Sequence, residues 1–242
     1  MSKKPLGRKA YGSIGHLPSS RLGPGDHCIT EGQARIATEK ARDKHDVIIV
    51  QEKLDGSCVA AAKIDGNIVP LTRAGYHART SPYEMHHMWA DWCDDNAKRF
   101  DLILEDGERV VGEWIAQAHG TLYDMELAVE PFIAFDLMRS TERAIFNEFE
   151  ARVYDGGFEM PYLLHCGGPC SVARAMEYHG RVNSGCDEPE GVVYRVERHG
   201  KVDFLCKWVR PDKVDGKYLP NISGKDPVWN WSPETYMNTT GN

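Results

Sequence analysis

The sequence lacks several features that would place it in large classes of protein. It contains no long apolar run, so we expect no segment that crosses a membrane. Its seven cysteines are an odd number without the spacing of a disulfide framework, which favours reduced thiols in a cytoplasmic protein. The basic N-terminus, residues 1–9, has no apolar stretch behind it and does not resemble a secretory signal. Repeats and low-complexity tracts are also missing.

An excess of positive charge is missing as well. Lysine and arginine number 29 against 36 aspartates and glutamates, which gives a formal net charge of −7. Proteins that bind nucleic acid are more often basic, so any such contact must use a local patch. Two basic clusters could supply such a patch. The first is Lys207, Arg210, Lys213 and Lys217, with a solvated face as the alternative interpretation. The second is Lys3, Lys4, Arg8 and Lys9, with a loose tail as the alternative.

The first half of the chain alternates short helical and strand patterns. Thr30 and Gln33 form a capping box that predicts a helix over residues 31–44. A β-branched run at 47–50 predicts a strand that ends at Glu52, and a hairpin is expected around Asp65-Gly66. Ser81 with Glu84 forms a second capping box, with Pro82 at the first helical position, before a helix with an apolar face.

The second half continues this mixture of elements. Residues 102–104 and 109–115 flank Asp106-Gly107 and predict another hairpin. The remaining patterns predict a strand at 131–137, helices at 141–153 and 171–179, the latter ended by Gly180, and strands at 191–197 and 202–209. Hairpins interspersed with helices indicate an α+β fold with antiparallel sheets flanked by helices. A chain of 242 residues with 41% hydrophobic residues can bury a substantial core.

A lysine, an aspartate and a glycine follow each other in Lys53-Leu54-Asp55-Gly56, directly after the predicted strand. A lysine at such a turn can act as a covalent nucleophile if its surroundings make it neutral. The short motif gains meaning from others that follow in order: Thr72-Arg73-Ala74-Gly75, Gly112-Glu113-Trp114, Phe135-Asp136, Glu190-Gly191-Val192-Val193-Tyr194-Arg195, and Lys207-Trp208-Val209-Arg210.

This series resembles the covalent nucleotidyltransferase superfamily of ATP-dependent ligases and capping enzymes, and most of all its RNA ligases. The resemblance implies a nucleotidyltransferase (ATP-grasp-like ligase) domain over residues 1–219 and a short C-terminal tail over 220–242. Only 35 residues follow Lys207, too few for the five-stranded OB barrel of many ligases, so no OB domain is expected.

The resemblance also implies a reaction and its components. Lys53 would attack the α-phosphorus of ATP, pass AMP to a 5′-phosphate end and seal that end to a 3′-hydroxyl. ATP and Mg²⁺ or Mn²⁺ are the expected cofactors. RNA ends, in a nicked duplex or in single strands, are the expected partners. The protein is expected to be a cytoplasmic monomer.

Individual roles follow from the matching positions. Catalysis is expected of Lys53, Asp55, Arg73 and Lys207, and metal binding of Glu190. Nucleotide binding is expected of Glu52 at the adenine edge, Glu113 at the ribose and Phe135 stacked on adenine, besides Lys53, Arg73 and Lys207. A free lysine has a pKa of about 10.4, so burial and the cations of Arg73, Lys207 and Mg²⁺ are expected to make Lys53 neutral.

One position departs from the family pattern. Many relatives carry two lysines as K-x-K where this chain has Leu205-Cys206-Lys207, so one phosphate contact is missing. Arg195 or Arg210 could replace it. Alternatives to an RNA ligase are a minimal DNA ligase, a capping guanylyltransferase, and a non-catalytic module that binds nucleotides or RNA ends. A zinc site at His165, Cys166, Cys170 and Cys186 lacks the usual spacing, and buried thiols are the preferred interpretation.

Overall fold

Two five-stranded sheets form the centre of the molecule. The computed structural model describes residues 3–124, 130–182 and 187–231. In chain order the strands are β1 (Gly15–His16), β2 (Asp46–Lys53), β3 (Ser57–Ile64), β4 (Asn67–Thr72), β5 (Glu108–Trp114), β6 (Phe132–Arg139), β7 (Glu142–Arg143), β8 (Leu163–Gly167), β9 (Gly191–Arg198) and β10 (Lys201–Val209).

The first sheet has the order β1-β10-β9-β2-β8 and the second the order β4-β3-β5-β6-β7. Apart from the parallel pair of β1 and β10, the paired strands are antiparallel. Strands β3 and β4 form the expected hairpin, with both Asp65 (φ 49°) and Gly66 (φ 75°) in the left-handed region that its tight turn requires. The antiparallel α+β expectation is therefore confirmed at this level.

Helices cover the sheets: α1 (Glu31–Thr38), α2 (Glu84–Asp95), α3 (Ala97–Ile103), α4 (Phe146–Asp155), α5 (Val172–Val182) and α6 (Pro220–Ser223). The Thr30–Gln33 capping box opens α1 as predicted, but the helix ends at Thr38 rather than at residue 44. Residues 39–44 instead lead into β2, where the Asp46 carboxylate accepts a hydrogen bond from the Arg42 backbone N–H at 2.6 Å.

The second predicted capping box is wrong. Helix α2 begins at Glu84 after Tyr83, which supplies no side-chain cap. The Ser81 hydroxyl lies 2.6 Å from Nδ1 of His86 and so engages a side chain rather than the backbone of the first turn. The helix nevertheless buries the predicted face, because Trp89 is fully buried and Met85, Met88 and Trp92 pack against the same core.

Three further predictions differ from the structure. Residues 102–104 do not form a hairpin with 109–115; α3 extends to Ile103, and β5 pairs with β3 and β6. The helix predicted at 141–153 is α4, which starts only at Phe146 because residues 142–143 extend the sheet as β7. Gly180 does not end α5, which continues to Val182.

The aromatic core lies between the second sheet and α2, α3 and α4. Trp89 stacks on Phe132 with ring centroids 4.8 Å apart, and Trp114 lies 5.6 Å from Trp89. Large rings bury much apolar area and their paired geometry adds further stability, so this cluster fixes the sheet on which Glu113 and Phe135 lie. In the first sheet, Ile48, Val50, Val192, Tyr194 and Val196 face α1 and α5.

The C-terminal tail follows the second sheet for as far as it is described. The Asn230 backbone N–H donates to the carbonyl of Ala116 at 2.7 Å, and the Trp231 ring packs against Trp114 at 5.8 Å. The division at residue 219 stays a prediction. Of the residues considered for zinc, Cys166 is exposed and Cys170 buried, while Cys186 lies outside the described residues. No helix in the described ranges has the length and apolarity to cross a membrane.

Candidate active site between the two sheets

A cavity of about 870 Å³ opens between the two sheets, at the turn Leu54–Gly56 where the chain passes from β2 to β3. Seven of the eight predicted site residues line it: Glu52, Lys53, Asp55, Arg73, Glu113, Phe135 and Lys207. The eighth, Glu190, reaches the same place through its ion pair with Lys53. Residues far apart in sequence therefore converge on one concave site of ligand-binding size.

Strand pairing places Lys53 beside Glu190. Lys53 is the last residue of β2 and lies opposite Gly191, so the residue that precedes β9 meets the lysine. Lys53 Nζ lies 2.8 Å from Glu190 Oε2 and 3.1 Å from the Leu54 carbonyl oxygen. Gly191 is required here because a Cβ would overlap the carbonyl of Trp208 on the neighbouring strand. The pairing of β2, β9 and β10 thus fixes the distance between the lysine and its carboxylate.

The carboxylates around Lys53 oppose the neutral state that is expected of it when Mg²⁺ is bound. Burial favours the neutral amine, but the carboxylates of Glu190, Glu113 and Asp55 outweigh burial and raise the pKa of Lys53 above its ordinary value. Lys207 and Arg73 line the same cavity. These carboxylates therefore favour the ammonium form of Lys53, and an additional cation near them would favour the amine.

Asp55 is held in place by backbone and side-chain contacts with residues 120–123 and by a buried lysine. Its Oδ2 accepts a hydrogen bond from the Gly120 N–H at 2.8 Å and forms an ion pair with Lys213, whose side chain is 1% exposed. The Asp55 N–H donates to the Tyr123 hydroxyl at 2.7 Å. These contacts fix the conformation of the turn that follows Lys53.

Glu113 is tied to the same turn from the second sheet. Its Oε1 accepts a hydrogen bond from the Gly56 N–H at 3.0 Å. A Cβ on Gly56 would come 2.5 Å from the Trp114 carbonyl oxygen, so only glycine allows this approach. Burial is the main reason that the pKa of Glu113 rises to about 7, and the nearby carboxylate of Glu190 adds to it.

Glu52 and Phe135 line the part of the cavity expected to hold a base. Glu52 is buried, and its Oε1 accepts a hydrogen bond from the Tyr162 N–H at 3.0 Å. Phe135 lies at an irregularity in the pairing of β5 and β6, since Val111 is opposite Asp136 and Gly112 is opposite Ala134. Its half-buried ring contacts Tyr11 edge-on at 5.2 Å and forms part of the cavity wall.

Lys207 reaches the cavity from β10 and is accompanied by an acidic group. Its Nζ lies 4.0 Å from Asp26 Oδ1, and the other Asp26 oxygen lies 3.1 Å from Nε2 of buried His16. Burial and the charge of Lys53 lower the pKa of Lys207. Arg73, on the opposite rim, is exposed and donates to the Ser13 hydroxyl at 3.0 Å.

The missing lysine at position 205 has no simple substitute. Leu205 lines the cavity, and so does Arg195, but Arg195 donates to Asp136 at 2.8 Å and to the Ala144 carbonyl at 3.0 Å. Arg210 pairs with Glu188 and Asp212 and is not part of the cavity lining. Both guanidinium groups are therefore engaged within the protein.

Three of the four basic residues in the cluster around Lys207 are engaged by acidic partners within the protein. Arg210 is paired as above, Lys213 is buried against Asp55, and Lys217 lies 2.9 Å from Asp187. Only Lys207 of the four lines the cavity. Proximity in sequence suggested a patch, but the acidic partners come from distant parts of the chain.

The sequence analysis missed Lys213 as a partner of Asp55, and Asp26 and His16 as neighbours of Lys207. Lys213 and Asp55 are separated by 158 positions, so no local pattern could pair them. His16 and Asp26 lie in a segment rich in glycine and proline, which carries no local pattern that indicates contact with Lys207.

A divalent cation fits the charges around Lys53. Asp55, Glu113 and Glu190 surround one lysine, and Glu113 and Glu190 have raised pKa values because they are buried. Among the described residues no group of three or more acidic, histidine or cysteine side chains is arranged to hold a metal ion by itself. Mg²⁺ commonly uses one or two carboxylates together with phosphates and waters, and Glu190 could supply such a ligand.

The chain is similar to known proteins in sequence and in fold. The sequence model of the RNA ligase family matches residues 46–209. An apo variant of Naegleria gruberi RNA ligase is similar with a TM-score of 0.51 at 14% identity, covering 93% of this chain and 63% of that one. Another variant of that enzyme, solved with ATP and Mn, is similar with a TM-score of 0.50 at 13% identity. The match covers 86% of this chain and 61% of that one. For an archaeal ATP-dependent RNA ligase the TM-score is 0.46 at 20% identity, and the match covers 68% of this chain and 43% of that one.

At these identities the two Naegleria structures show a shared fold. The chain spans 43% to 63% of the length of the three solved structures. No curated protein matches it. The family match covers more than half of the chain and includes Lys53, Asp55, Arg73, Glu113, Phe135, Glu190 and Lys207. The chain therefore belongs to the RNA ligase family.

Proposed function

We propose that the protein is an ATP-dependent RNA ligase that forms a lysyl-AMP intermediate on Lys53. It would then transfer AMP to a 5′-phosphate end and seal that end to a 3′-hydroxyl. The observation that carries the proposal is the convergence of Lys53, Glu113, Glu190 and Lys207 at one cavity between the sheets. The family match and the solved Naegleria ligase with ATP and Mn support the same nucleotide chemistry.

The cavity suggests how the nucleotide would lie. Phe135 would stack on the adenine ring and Glu52 would accept a hydrogen bond from its exocyclic amine. Glu113 would accept a hydrogen bond from a ribose hydroxyl. Lys207 and Arg73 would contact the phosphates, and a guanidinium fork suits phosphate oxygens. This orientation would leave the α-phosphorus facing Lys53 at the end of β2.

The first chemical step is attack by the Lys53 amine on the α-phosphorus of ATP. A P–N bond forms, the bond to the β-phosphate oxygen breaks, and pyrophosphate leaves. When bound, a divalent ion supplies positive charge that offsets the carboxylates near Lys53 and the phosphates of ATP. Glu190, 2.8 Å from Nζ, would hold the departing lysine proton, and Lys207 would stabilise the developing phosphate charge.

Covalent labelling tests the nucleophile. The protein is incubated with α-labelled ATP and Mg²⁺, and label on the chain is measured after denaturation. We expect Lys53→Ala to abolish the label, because the proposed orientation of ATP turns the α-phosphorus toward the amine of Lys53. Lys63→Ala, which changes a lysine paired with Asp101 outside the cavity lining, serves as the control and should label normally. Label that persists in Lys53→Ala would remove this residue from the mechanism.

A sealing assay tests the substrate. Two nicked duplexes carry an RNA or a DNA strand with the 3′-hydroxyl at the nick, and a denaturing gel resolves joined and 5′-adenylylated strands. We expect joining of the RNA nick. Equal joining of both nicks would indicate a ligase of dual or DNA specificity. Absence of product, adenylylated strand and labelled protein would indicate a module that binds nucleotides without catalysis.

A further inference from the structure

The basic N-terminus is docked on the protein rather than loose. The N–H groups of Ala10 and Tyr11 donate to the carbonyl of Arg73 at 3.1 and 3.3 Å. Residues 3–11, the N-terminal arm, thereby follow the turn after β4. Leu6 packs into the apolar cluster around Leu71, which fixes the middle of the arm. The loose-tail interpretation of this basic segment is therefore wrong.

Close backbone packing holds the arm in place. Gly75 has φ +88°, and a Cβ there would overlap the carbonyl of Arg8. The Arg8 guanidinium donates to the Ser140 hydroxyl at 2.8 Å, next to the end of β6. The arm is thus joined both to the Arg73 turn and to the edge of the second sheet, and its side chains have defined positions.

The charges of the arm are not neutralised. Lys3, Arg8 and Lys9 are exposed and Lys4 is half-buried, and none of the four forms an ion pair with a described residue. Some other exposed arginines do form ion pairs, as Arg79 does with Asp91 and Arg139 with Glu105. In a chain with a net charge of −7, four unpaired cations within the first nine residues form a local positive surface.

This surface adjoins the mouth of the cavity. Arg73 and Tyr76 both line the cavity, and the Lys4 ammonium lies 4.9 Å from the centre of the Tyr76 ring. Tyr76 is 39% exposed and presents part of its ring to solvent. The positive charge therefore continues from the arm to Arg73, at the rim of the site that contains Lys53.

We propose that the N-terminal arm binds the phosphate backbone of the RNA strand adjacent to the end that is joined, with Tyr76 as a stacking surface for one base. This inference rests on the proposed ligase function and extends it to the path of the substrate. Lysine and arginine side chains that replace counterions on phosphates supply salt-dependent affinity without sequence specificity. An aromatic ring beside such a positive track is a common site for a single-stranded base.

The test removes the charge without touching the residues at the nucleotide. In the arm variant, Lys3, Lys4, Arg8 and Lys9 are all changed to Gln. The matched control changes Lys40, Lys44, Lys98 and Lys201 to Gln. These four lysines are exposed and form no ion pair with a described residue, and their replacement removes as many positive charges as the arm variant does. Binding of a 5′-phosphorylated single-stranded RNA oligonucleotide is measured between about 50 and 200 mM salt, and lysyl-AMP formation is measured in parallel.

We expect the arm variant to form lysyl-AMP at the wild-type rate but to bind the RNA at least about tenfold more weakly, with a salt slope smaller by about 0.7 for each phosphate that the arm no longer binds. The control should change the affinity and slope much less. Equal effects of the two variants, or an unchanged slope in the arm variant, would overturn the inference. Failure of the wild-type protein to label with ATP would contradict the proposed function instead, whatever the arm does.

A smaller change guards against misfolding of the arm. Lys3→Gln with Lys9→Gln alters two exposed side chains and leaves Lys4 on Tyr76 and Arg8 on Ser140. We expect this double variant to show an intermediate loss of RNA affinity and of salt slope. Wild-type affinity and slope in the double variant would count against a backbone contact by the arm.

Discussion

Lys53 has more negative than positive charge around it. Glu190 is in direct contact, and Glu113 and Asp55 act on it from the second sheet and from the turn. A nucleophilic amine needs the opposite balance, since an ammonium ion cannot attack phosphorus. In the proposed mechanism, the three carboxylates would make attack by Lys53 depend on an added cation. They also place buried negative charge in the folded protein.

Replacing Glu113 tests how much this buried negative charge destabilises the folded protein. Its pKa of about 7 in the folded protein lies above the ordinary value of 4.5, so the folded state holds the proton more tightly than the unfolded state. Stability is therefore lost as the pH rises from 4.5 through 7. We expect Glu113→Gln to make the unliganded protein more stable than wild type at pH 8, with little difference near pH 4. Urea unfolding at both pH values measures this.

Glu142→Gln is the control for Glu113, because this exposed glutamate lies at the surface on β7. It should not alter the pH dependence of stability. If Glu113→Gln lowered the stability equally at pH 8 and pH 4, the carboxylate would be a structural acceptor for Gly56 rather than a strained group of the site.

Lys213 forms a buried ion pair with Asp55, and we propose that it affects the reaction through this contact. We expect Lys213→Met to slow lysyl-AMP formation by up to about a hundredfold, because loss of the ion pair lets the turn after Lys53 move away from its reactive geometry. The loss of stability should be smaller than the ~3–5 kcal/mol typical of a broken buried pair, since Asp55 is 17% exposed. Single-turnover labelling with ATP and urea unfolding separate the two effects.

Two further variants make the role of Lys213 testable. Lys217→Met breaks a pair with Asp187 in the same segment, without contact to Asp55, and should label at nearly the wild-type rate. Lys213→Arg keeps the charge and should recover part of the rate. If Lys213→Met labelled normally while losing stability, the lysine would serve the fold alone.

The motifs predicted which side chains meet, but not what surrounds them. The order of Lys53, Glu113, Phe135, Glu190 and Lys207 was enough to expect one site, and the structure brings them to one cavity. Protonation of Lys53 could not be predicted, because it depends on distances between strands that are far apart in sequence. The roles assigned to these residues stay predictions until the variants are measured.

At the level of elements, a network of charged groups joins the beginning of β2 to the end of β9. Asp46, whose side chain is fully buried, accepts hydrogen bonds from Arg42 at 2.7 Å and from Arg198 at 3.0 Å. Burial alone would raise the pKa of Asp46, but these hydrogen bonds lower it to about 2. The network therefore stabilises the pairing that ends, one strand length away, at Lys53 and Gly191.

Acid should weaken this network. The folded pKa of about 2 lies below the ordinary 3.8, so the stability that Asp46 contributes is present above pH 3.8 and is lost as the pH falls through 2. We expect Asp46→Asn to cost about 1–2 kcal/mol at pH 7 and to lose less on acidification than wild type. Asp203→Asn, an exposed partner of Arg42, is the control and should cost less at pH 7. Equal acid sensitivity of Asp46→Asn and wild type would contradict the argument.

The two Asp-Gly turns show where local patterns suffice. At Asp65-Gly66 both residues adopt positive φ and adjacent strands pair, as the dipeptide predicts. At Asp106-Gly107 only the glycine adopts a positive φ, and no hairpin forms. The preceding residues complete α3, and the strand that follows pairs with β3 and β6. The flanking segments, and not the turn residues, decide the outcome. Pairing between distant segments is therefore the part of this fold that the sequence patterns could not supply.

At the scale of the whole molecule, the cavity wall is divided between the two sheets. Glu52, Lys53 and Lys207 belong to the first sheet, whereas Glu113 and Phe135 belong to the second. The covalent connection nearest the cavity is the turn Leu54–Gly56. A nucleotide that contacts both walls would join the sheets as well as occupy the site, so binding and global stability should be coupled.

We expect ATP with Mg²⁺ to raise the free energy of unfolding of the Lys53→Ala variant, in which binding stays non-covalent. A ligand that binds only the folded state adds about 2.7 kcal/mol when present at a hundredfold excess over its Kd. Urea unfolding with ATP and Mg²⁺, with Mg²⁺ alone and without either isolates the contribution of the nucleotide. Adding Phe135→Ala should reduce the gain, because the wall contributed by the second sheet is lost. A gain that is the same with and without Phe135 would mean that the nucleotide binds to the first sheet alone and that the two sheets are not coupled through it.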